Sequence, residues 1–308
     1  MGIYTDLAAE MRELNPQLDG INETEAQDGE IKIKRIEILS DAAAEKLGKA
    51  RGRYTTLDAE ALTQRPFDLF AHMSQCLRRE LLSLVPLTGA ELKRGTVLIV
   101  GLGNRGVTPD SLGPRTAEKV FVTRHIKEHV PEAFDFEIPS VCAIAPGVLG
   151  VTGVETTDIV LGVVNKVKPD LIIAVDALAS RRAARISTTV QLSDSGISPG
   201  SGVGNTRADL SLEKLGVPVI AVGVPLVVYA STISQDTISL IADETGLHGD
   251  EERLKELAEQ VIAKHMGDFI VTPKDIDVIV EDMSGIIADA INSALFGENL
   301  EQVRNLLA

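Results

Sequence analysis

Apolar residues along the chain follow three patterns, and each predicts a different element. Short unbroken runs at residues 96–100, 170–175 and 217–223 read as strands buried on both faces, as in a parallel sheet. Residues 134–138 read as a further strand. Alternation at 30–39 and 185–192 predicts half-buried strands, with a return strand at 51–56. Stripes at helical spacing predict helices at 67–85, 115–129, 156–168, 231–242 and 250–265, the last with Leu254, Leu257, Val261 and Ile262 turned inward. A final long helix starts behind a Thr272 cap with Pro273 in its first turn. It buries Ile276, Ile279, Val280, Met283, Ile287, Ile291 and Leu295 and stops before Gly297.

Strands alternating with helices in this order imply an α/β fold, a doubly wound and mostly parallel sheet flanked by helices. The first 95 residues follow a different pattern and predict a smaller N-terminal subdomain or sheet edge. There, residues 1–16 read as a short helix capped by Thr5 or Asp6, with Leu7, Met11 and Leu14 on one face. Residues 20–30 read as a polar loop, and Ser40-Asp41 as the cap of a helix ending near Gly48. Residues 139–153 and 194–205 are glycine-rich and read as loops.

Composition narrows the function classes. Aromatics make up 3% of the 308 residues and Trp is absent, so the core is built from Val, Ile, Leu and Ala, which suits a helix-covered parallel sheet. A net charge of -15 argues against nucleic-acid binding, whose phosphate contacts need a basic face. Cys76 and Cys142 stand alone without a Cys-x-x-Cys pair, so neither a disulfide framework nor a structural zinc site is expected. No leader pattern opens the chain and no run reaches about 18 apolar residues, so no signal peptide or membrane span is expected.

Candidate chemistry begins at Gly101-Leu102-Gly103-Asn104-Arg105-Gly106, which follows a strand as a dinucleotide loop would. Val107-Thr108-Pro109 and Pro114 prevent a helix from opening within the glycines, so its amide end cannot face a pyrophosphate. His125-Ile126-Lys127-Glu128-His129 matches the inverted zinc-peptidase pattern, but Arg124 and Lys127 mark the helix as a solvated face. Neither cysteine sits beside a glycine-rich turn with a His to activate it, so a cysteine triad is poorly supported.

Asp110 and Asp176 remain. Each follows the carboxyl end of an apolar strand, where open α/β sheets carry their sites. If those strands are neighbours, about 4.8 Å apart, the two carboxyls share one crevice. They then cannot both ionise easily, and the pair can take a proton from water and give one to a leaving amine. The alternative is that Asp110 caps the following helix and Asp176 caps a turn.

Long strings around these aspartates resemble the germination proteases of endospore-forming bacteria, endopeptidases that degrade small acid-soluble spore proteins. They are Gly101-Leu-Gly-Asn-Arg-Gly-Val-Thr-Pro-Asp110-Ser-Leu-Gly-Pro114, Ala145-Pro-Gly-Val-Leu-Gly150 and Lys168-Pro-Asp-Leu-Ile-Ile-Ala-Val-Asp176-Ala-Leu-Ala-Ser-Arg181. Ser193-Asp-Ser-Gly-Ile-Ser-Pro-Gly-Ser-Gly-Val-Gly-Asn205, Gly216-Val-Pro-Val-Ile-Ala-Val-Gly-Val-Pro225 and the Val271-Thr-Pro-Lys helix start continue the likeness. The resemblance implies an atypical aspartic endopeptidase with Asp110 and Asp176 as its pair, using no metal or other cofactor. It implies a zymogen that cuts its own N-terminus after an acidic residue and before a bulky apolar residue and Ala. Asp6-Leu7-Ala8 fits, which makes 1–6 a candidate propeptide and 7–308 a single α/β peptidase domain, with 7–95 its N-terminal part and 96–308 its core.

The resemblance further implies a homotetramer in the spore-core cytoplasm, acting on spore proteins without a nucleic-acid or membrane partner. The loops 145–153 and 194–205 are candidate groove walls, with Asn104, Gly147, Asp194, Gly202 and Asn205 as candidate substrate-binding positions; plain connections are the alternative. A distant similarity runs to hydrogenase-maturation endopeptidases, whose Gly-x-Gly-Asn turn precedes an acidic metal-contacting residue at the Asn104-to-Asp110 spacing. A metal-dependent endopeptidase using this crevice, or His125 and His129, therefore stays open. Leu226 and Tyr229 stand where the family carries Thr and Asp, which leaves open a catalytically impaired binding relative.

Overall fold

A computed structural model of the chain describes residues 5–197, 209–246, 251–265 and 269–307. Its strands are β1 (Ile21–Asp28), β2 (Ile31–Ile38), β3 (Gly52–Asp58), β4 (Thr96–Gly101), β5 (Ser140–Ile144), β6 (Leu171–Ser180), β7 (Thr189–Ser193), β8 (Val219–Tyr229) and β9 (Ile270–Val271). The helices are α1 (Ala8–Leu14), α2 (Asp41–Leu47), α3 (Phe67–Leu84), α4 (Gly89–Arg94), α5 (Leu112–Lys119), α6 (Arg124–His129), α7 (Leu149–Thr152), α8 (Thr156–Val167), α9 (Leu212–Leu215), α10 (Ala230–Thr245), α11 (Glu251–His265), α12 (Ile276–Phe296) and α13 (Leu300–Leu307).

All the strands join one mixed sheet in the order β1-β2-β3-β7-β8-β6-β4-β5, with β9 on the end of β8. The expected parallel core is β5-β4-β6-β8. Beyond it β7, β3, β2 and β1 pair antiparallel, so the N-terminal part continues the sheet as its edge.

The two faces are covered differently. One face packs Val97, Ile99, Ile173, Val175, Val190, Leu192 and Val222 under α3 and the buried stripe of α12. On the other, α8 and α9 cover Leu98, Val100, Ile172, Ala174 and Val219, while α1 and α2 cover Ile36, Ile38 and Tyr54. Between these two helical covers a strip of β6, β8 and β7 is left open, and the cleft lies there.

Several elements differ from the sequence expectation, each for a local reason. Residues 21–28 are a strand despite their polarity, because an edge strand needs only the ladder to β2, and its charges block further pairing. The strand expected at 134–138 lies at Ser140–Ile144 instead; Ser140 is the first residue past Pro139 with an amide to give, and it donates to Gly95 at 2.9 Å. Phe134 and Phe136 meet edge to face beside the core without joining the sheet. The helix expected at 115–129 is two: α5 takes Gly113-Pro114 into its first turn and ends at Lys119, and the Phe121 amide is held by Asn292 Oδ1 at 2.9 Å before α6 begins. Thr272 does not cap α12, which starts behind Asp275; its hydroxyl donates to the Leu226 carbonyl at 2.9 Å. On α11 the apolar stripe is real but faces outward: Leu254, Leu257 and Val261 are exposed and Ile262 is buried. Neither Thr5 nor Asp6 caps α1, which begins behind Leu7 with no side-chain cap.

Candidate active site

The strand ends that carry the two aspartates are neighbours. β4 and β6 run parallel with Gly101 opposite Val175, and the Leu102 amide gives the last bond of the ladder to Val175 at 2.8 Å. The chain then leaves the sheet, folds through a single turn at Thr108–Asp110 and enters α5. Asp110 is fixed by that loop: its Oδ2 accepts from the Asn104 amide at 2.7 Å, and its own amide donates to Val107 at 2.9 Å. Gly103 makes the fold-back possible. Its φ is +114°, and a Cβ there would lie 2.0 Å from the Asp110 carbonyl oxygen. Gly103→Ala should therefore cost at least about 2 kcal/mol and displace Asp110, read as a lower Tm with parallel loss of activity.

Asp176 lies within β6, which runs five residues beyond its pairing with β4. It is 5% exposed, and its Oδ1 accepts from the Ala177 amide at 2.9 Å. Burial pushes the Asp176 carboxyl well above the carboxylate range, and the charges of Asp110 and then Asp6 push the same way. Burial also raises Asp110, opposed by the Asn104 amide. Both carboxyls are thus raised and the pair titrates as a unit, with the deeper burial on Asp176.

Both aspartates line a cleft of about 690 Å³ whose floor is β6, β8 and β7. The row Asp176–Gly223–Gln191 crosses it, one residue from each strand. Gly223 keeps the middle of the row low, since a Cβ there would stand 2.5 Å from the Leu178 side chain. Among the described lining residues the cation is Lys49. Burial pulls its ammonium pKa down, and the charges of Asp6 and Glu10 oppose that.

Asp6, from the chain's own N-terminal stretch, also lines this cleft. The Asp6 amide donates to the Ala179 carbonyl at 2.9 Å, and the Ala179 amide returns a bond to Asp6 Oδ2 at 2.8 Å. The carboxamide of Gln191 takes the other side, with Nε2 donating to the Asp6 carbonyl at 3.1 Å and Oε1 accepting from the Ala8 amide at 2.7 Å. Lys49 Nζ donates to the Thr5 carbonyl at 3.2 Å, and Leu7 is fully buried. Glu10, 1% exposed, anchors the stretch from behind by accepting from the amides of Arg181 and Arg182 at 2.6 and 2.9 Å.

The other residues singled out in the sequence fall at its margins. Asn104 shapes the Asp110 loop, with Oδ1 accepting from the Gly106 amide at 2.9 Å. The Gly147 carbonyl accepts from the Thr156 hydroxyl at 3.0 Å, beside the lining residues Val148 and Gly150. Asp194 pairs with the Arg53 guanidinium at 2.7 Å and accepts from the Arg53 amide at 2.7 Å, next to the lining residue Ser195. Gly202 and Asn205 lie outside the described residues. His125 and His129 are exposed on α6, where Arg124 pairs with Glu128 at 2.5 Å. Among the described residues the side chains within metal-ligating reach of one another are Asp28, His72 and Cys76, and Arg79 already bonds Asp28 at 2.9 Å. Leu226 is fully buried and Tyr229 is 8% exposed, and neither lines the cleft.

Sequence reasoning missed Gln191, Lys49 and Ala179. Gln191 gave no sequence signal: in Thr189-Val190-Gln191-Leu192-Ser193 the polar residues read as a solvated face, and only the structure shows all three buried.

A sequence profile for the peptidase family described as germination protease matches residues 2–252. A germination protease of Caldanaerobacter subterraneus subsp. tengcongensis is 45% identical over 96% of this chain and 94% of its own length. That of Clostridium tetani is 41% identical over 96% of each chain, and that of Bacillus cereus 36% identical over 95% of this chain and 93% of its own. Among solved structures, a [NiFe] hydrogenase maturation protease from Thermococcus kodakarensis is 19% identical and aligns over 64% of this chain and 93% of its own, with a TM-score of 0.33. The chain belongs to the germination protease family, and with it to the peptidases of spore germination.

Proposed function

We propose that the chain is an aspartic endopeptidase that first removes its own residues 1–6 and then cuts small acid-soluble spore proteins at acidic–apolar–Ala sequences. The observation that carries this is that Asp6 lines the same cleft as Asp110 and Asp176, while Gln191 of that cleft bonds the Asp6 carbonyl and the Ala8 amide on either side of Leu7. Ionised Asp110 takes a proton from water, whose oxygen attacks the carbonyl carbon of the acidic residue. The carbonyl electron pair moves to its oxygen. On collapse the C–N bond breaks, and protonated Asp176 gives its proton to the leaving amine. Lys49 supports the preference for an acid before the cut, and the fully buried position of Leu7 supports the apolar residue after it.

Incubating the purified chain with a peptide containing Glu-Ile-Ala tests this: cleavage after Glu, undiminished by a chelator, is the expected result. No cleavage would overturn the protease reading, and loss on chelation with rescue by a divalent ion would replace the aspartic mechanism with a metal-dependent one. The rate should follow a bell in pH. It falls on the acid side as Asp110 takes a proton and on the alkaline side as Asp176 loses one, with both limbs displaced upward from those of free carboxyls and the alkaline limb displaced further. A profile of kcat/KM against pH reads this directly.

The same proposal places the enzyme in the spore core as a homotetramer. No helix among the described residues is long and apolar enough to cross a membrane. The outward stripe Leu254, Leu257 and Val261 of α11 supports self-association, which light scattering on the purified chain measures.

A further inference from the structure

We infer that Gln191 is the oxyanion donor of this cleft: its carboxamide holds the carbonyl of the residue before the cut and the amide of the second residue after it. The inference rests on Asp6–Leu7 as the bond that is cut. The orientation of the carboxamide is fixed by chemistry. An amide N–H can bond only an acceptor, so Oε1 faces Ala8 at 2.7 Å and the NH2 end must face the Asp6 carbonyl, 3.1 Å away.

The placement suits an oxyanion. Gln191 sits in the transverse row that also holds Asp176, with Gly223 between them, so two strand spacings separate their backbones, roughly 10 Å. The docked stretch is bonded to β6 through Ala179 and to β7 through Gln191, and so bridges the two strands that flank β8. The carboxyl pair lines the same cleft as Gln191, whose N–H already holds the scissile carbonyl. When water adds, the carbonyl carbon gains a C–O bond and the C=O electron pair moves onto the oxygen already facing that N–H. Gln191 is 8% exposed, so bulk water does not compete for the oxygen, and a donor in a dry site is worth far more than one in solution.

The same contact gives a specificity rule. A substrate must offer an N–H at the second residue after the cut, so proline there is excluded and Ala is accepted.

The test uses the full chain and a Glu-Ile-Ala peptide. Gln191→Leu should lower kcat about 10²-fold to 10³-fold with KM changed only severalfold. Replacing the Ala N–H of the peptide by an ester oxygen should cost wild type about tenfold in kcat/KM and cost Gln191→Leu nothing more, an effect that a purely structural role would not produce. If Gln191→Leu fails to fold, the wild-type chain still decides, since proline or ester at that position must slow it. Full kcat in Gln191→Leu, retained ester sensitivity in that variant, or indifference of wild type to ester and proline would each overturn the inference while leaving the protease reading intact. If wild type leaves the parent peptide uncut, the protease reading is what fails. The contact is then read at Ala8 of the intact chain, where amide hydrogen exchange should speed up at least tenfold in Gln191→Leu, and an unchanged rate would overturn it.

Discussion

Replacing Asp176 with Asn is expected to lower peptide cleavage by about 10³-fold while making the protein more stable at neutral pH. The activity loss follows from the proton. Asn fills the same space but has no proton to give the leaving amine, and its amide cannot share one with Asp110. The stability gain follows from burial. A carboxyl whose folded-state pKa lies above its unfolded value disfavours the fold once the unfolded chain ionises, and does so increasingly until the folded group also ionises. Asp176→Asn removes that term. Its Tm should match wild type near the unfolded carboxyl pKa and exceed it increasingly as the pH rises toward neutrality. Thermal melts across that range, beside the peptide assay, check both signs. A catalytic residue that destabilises its own fold is the expected signature of a strained site. A merely structural Asp176 would show the opposite, with stability lost on substitution.

The second large effect is expected at Leu7. Leu7→Asp should abolish removal of residues 1–6, slowing it at least about 100-fold, because an ionised carboxylate without a partner costs several kcal/mol to bury where Leu7 now sits. The aspartate pair and Gln191 are untouched by this change, and a stretch that no longer seats leaves the cleft open, so cleavage of an added Glu-Ile-Ala peptide should persist. Intact mass of the chain reads the first outcome and product analysis of the peptide reads the second. Loss of both activities together would mean that Leu7 supports the fold of the cleft and does not simply present a bond to it.

Much of this site was legible before any coordinates. The runs at 96–100 and 170–175 predicted two buried parallel strands, and the residues after them placed Asp110 and Asp176 at one end of a sheet. What composition and spacing could not give was adjacency, which the β4–β6 ladder supplies. The N-terminus shows where local patterning stops. Read alone, residues 5–14 make a short amphipathic helix, and α1 is indeed there. The bonds that decide the role of Asp6 and Ala8 are made to Ala179 and Gln191, 173 and 183 residues away, and periodicity carries no information at that range. Gln191 was hidden for the same reason: alternation predicts a strand but not its neighbours, and only the insertion of β7 antiparallel beside β8 brings it into the row of Asp176, with Gly223 between them. On α11 the stripe had the right period but did not say which partner it meets.

The most direct test of the account is the intact mass of the purified full-length chain followed over time, with Asp176→Asn in parallel. Wild type is expected to lose residues 1–6 and leave a new N-terminus at Leu7, while Asp176→Asn keeps its full mass. Removal of the same six residues from Asp176→Asn, or a wild-type cut at any other bond, would contradict it.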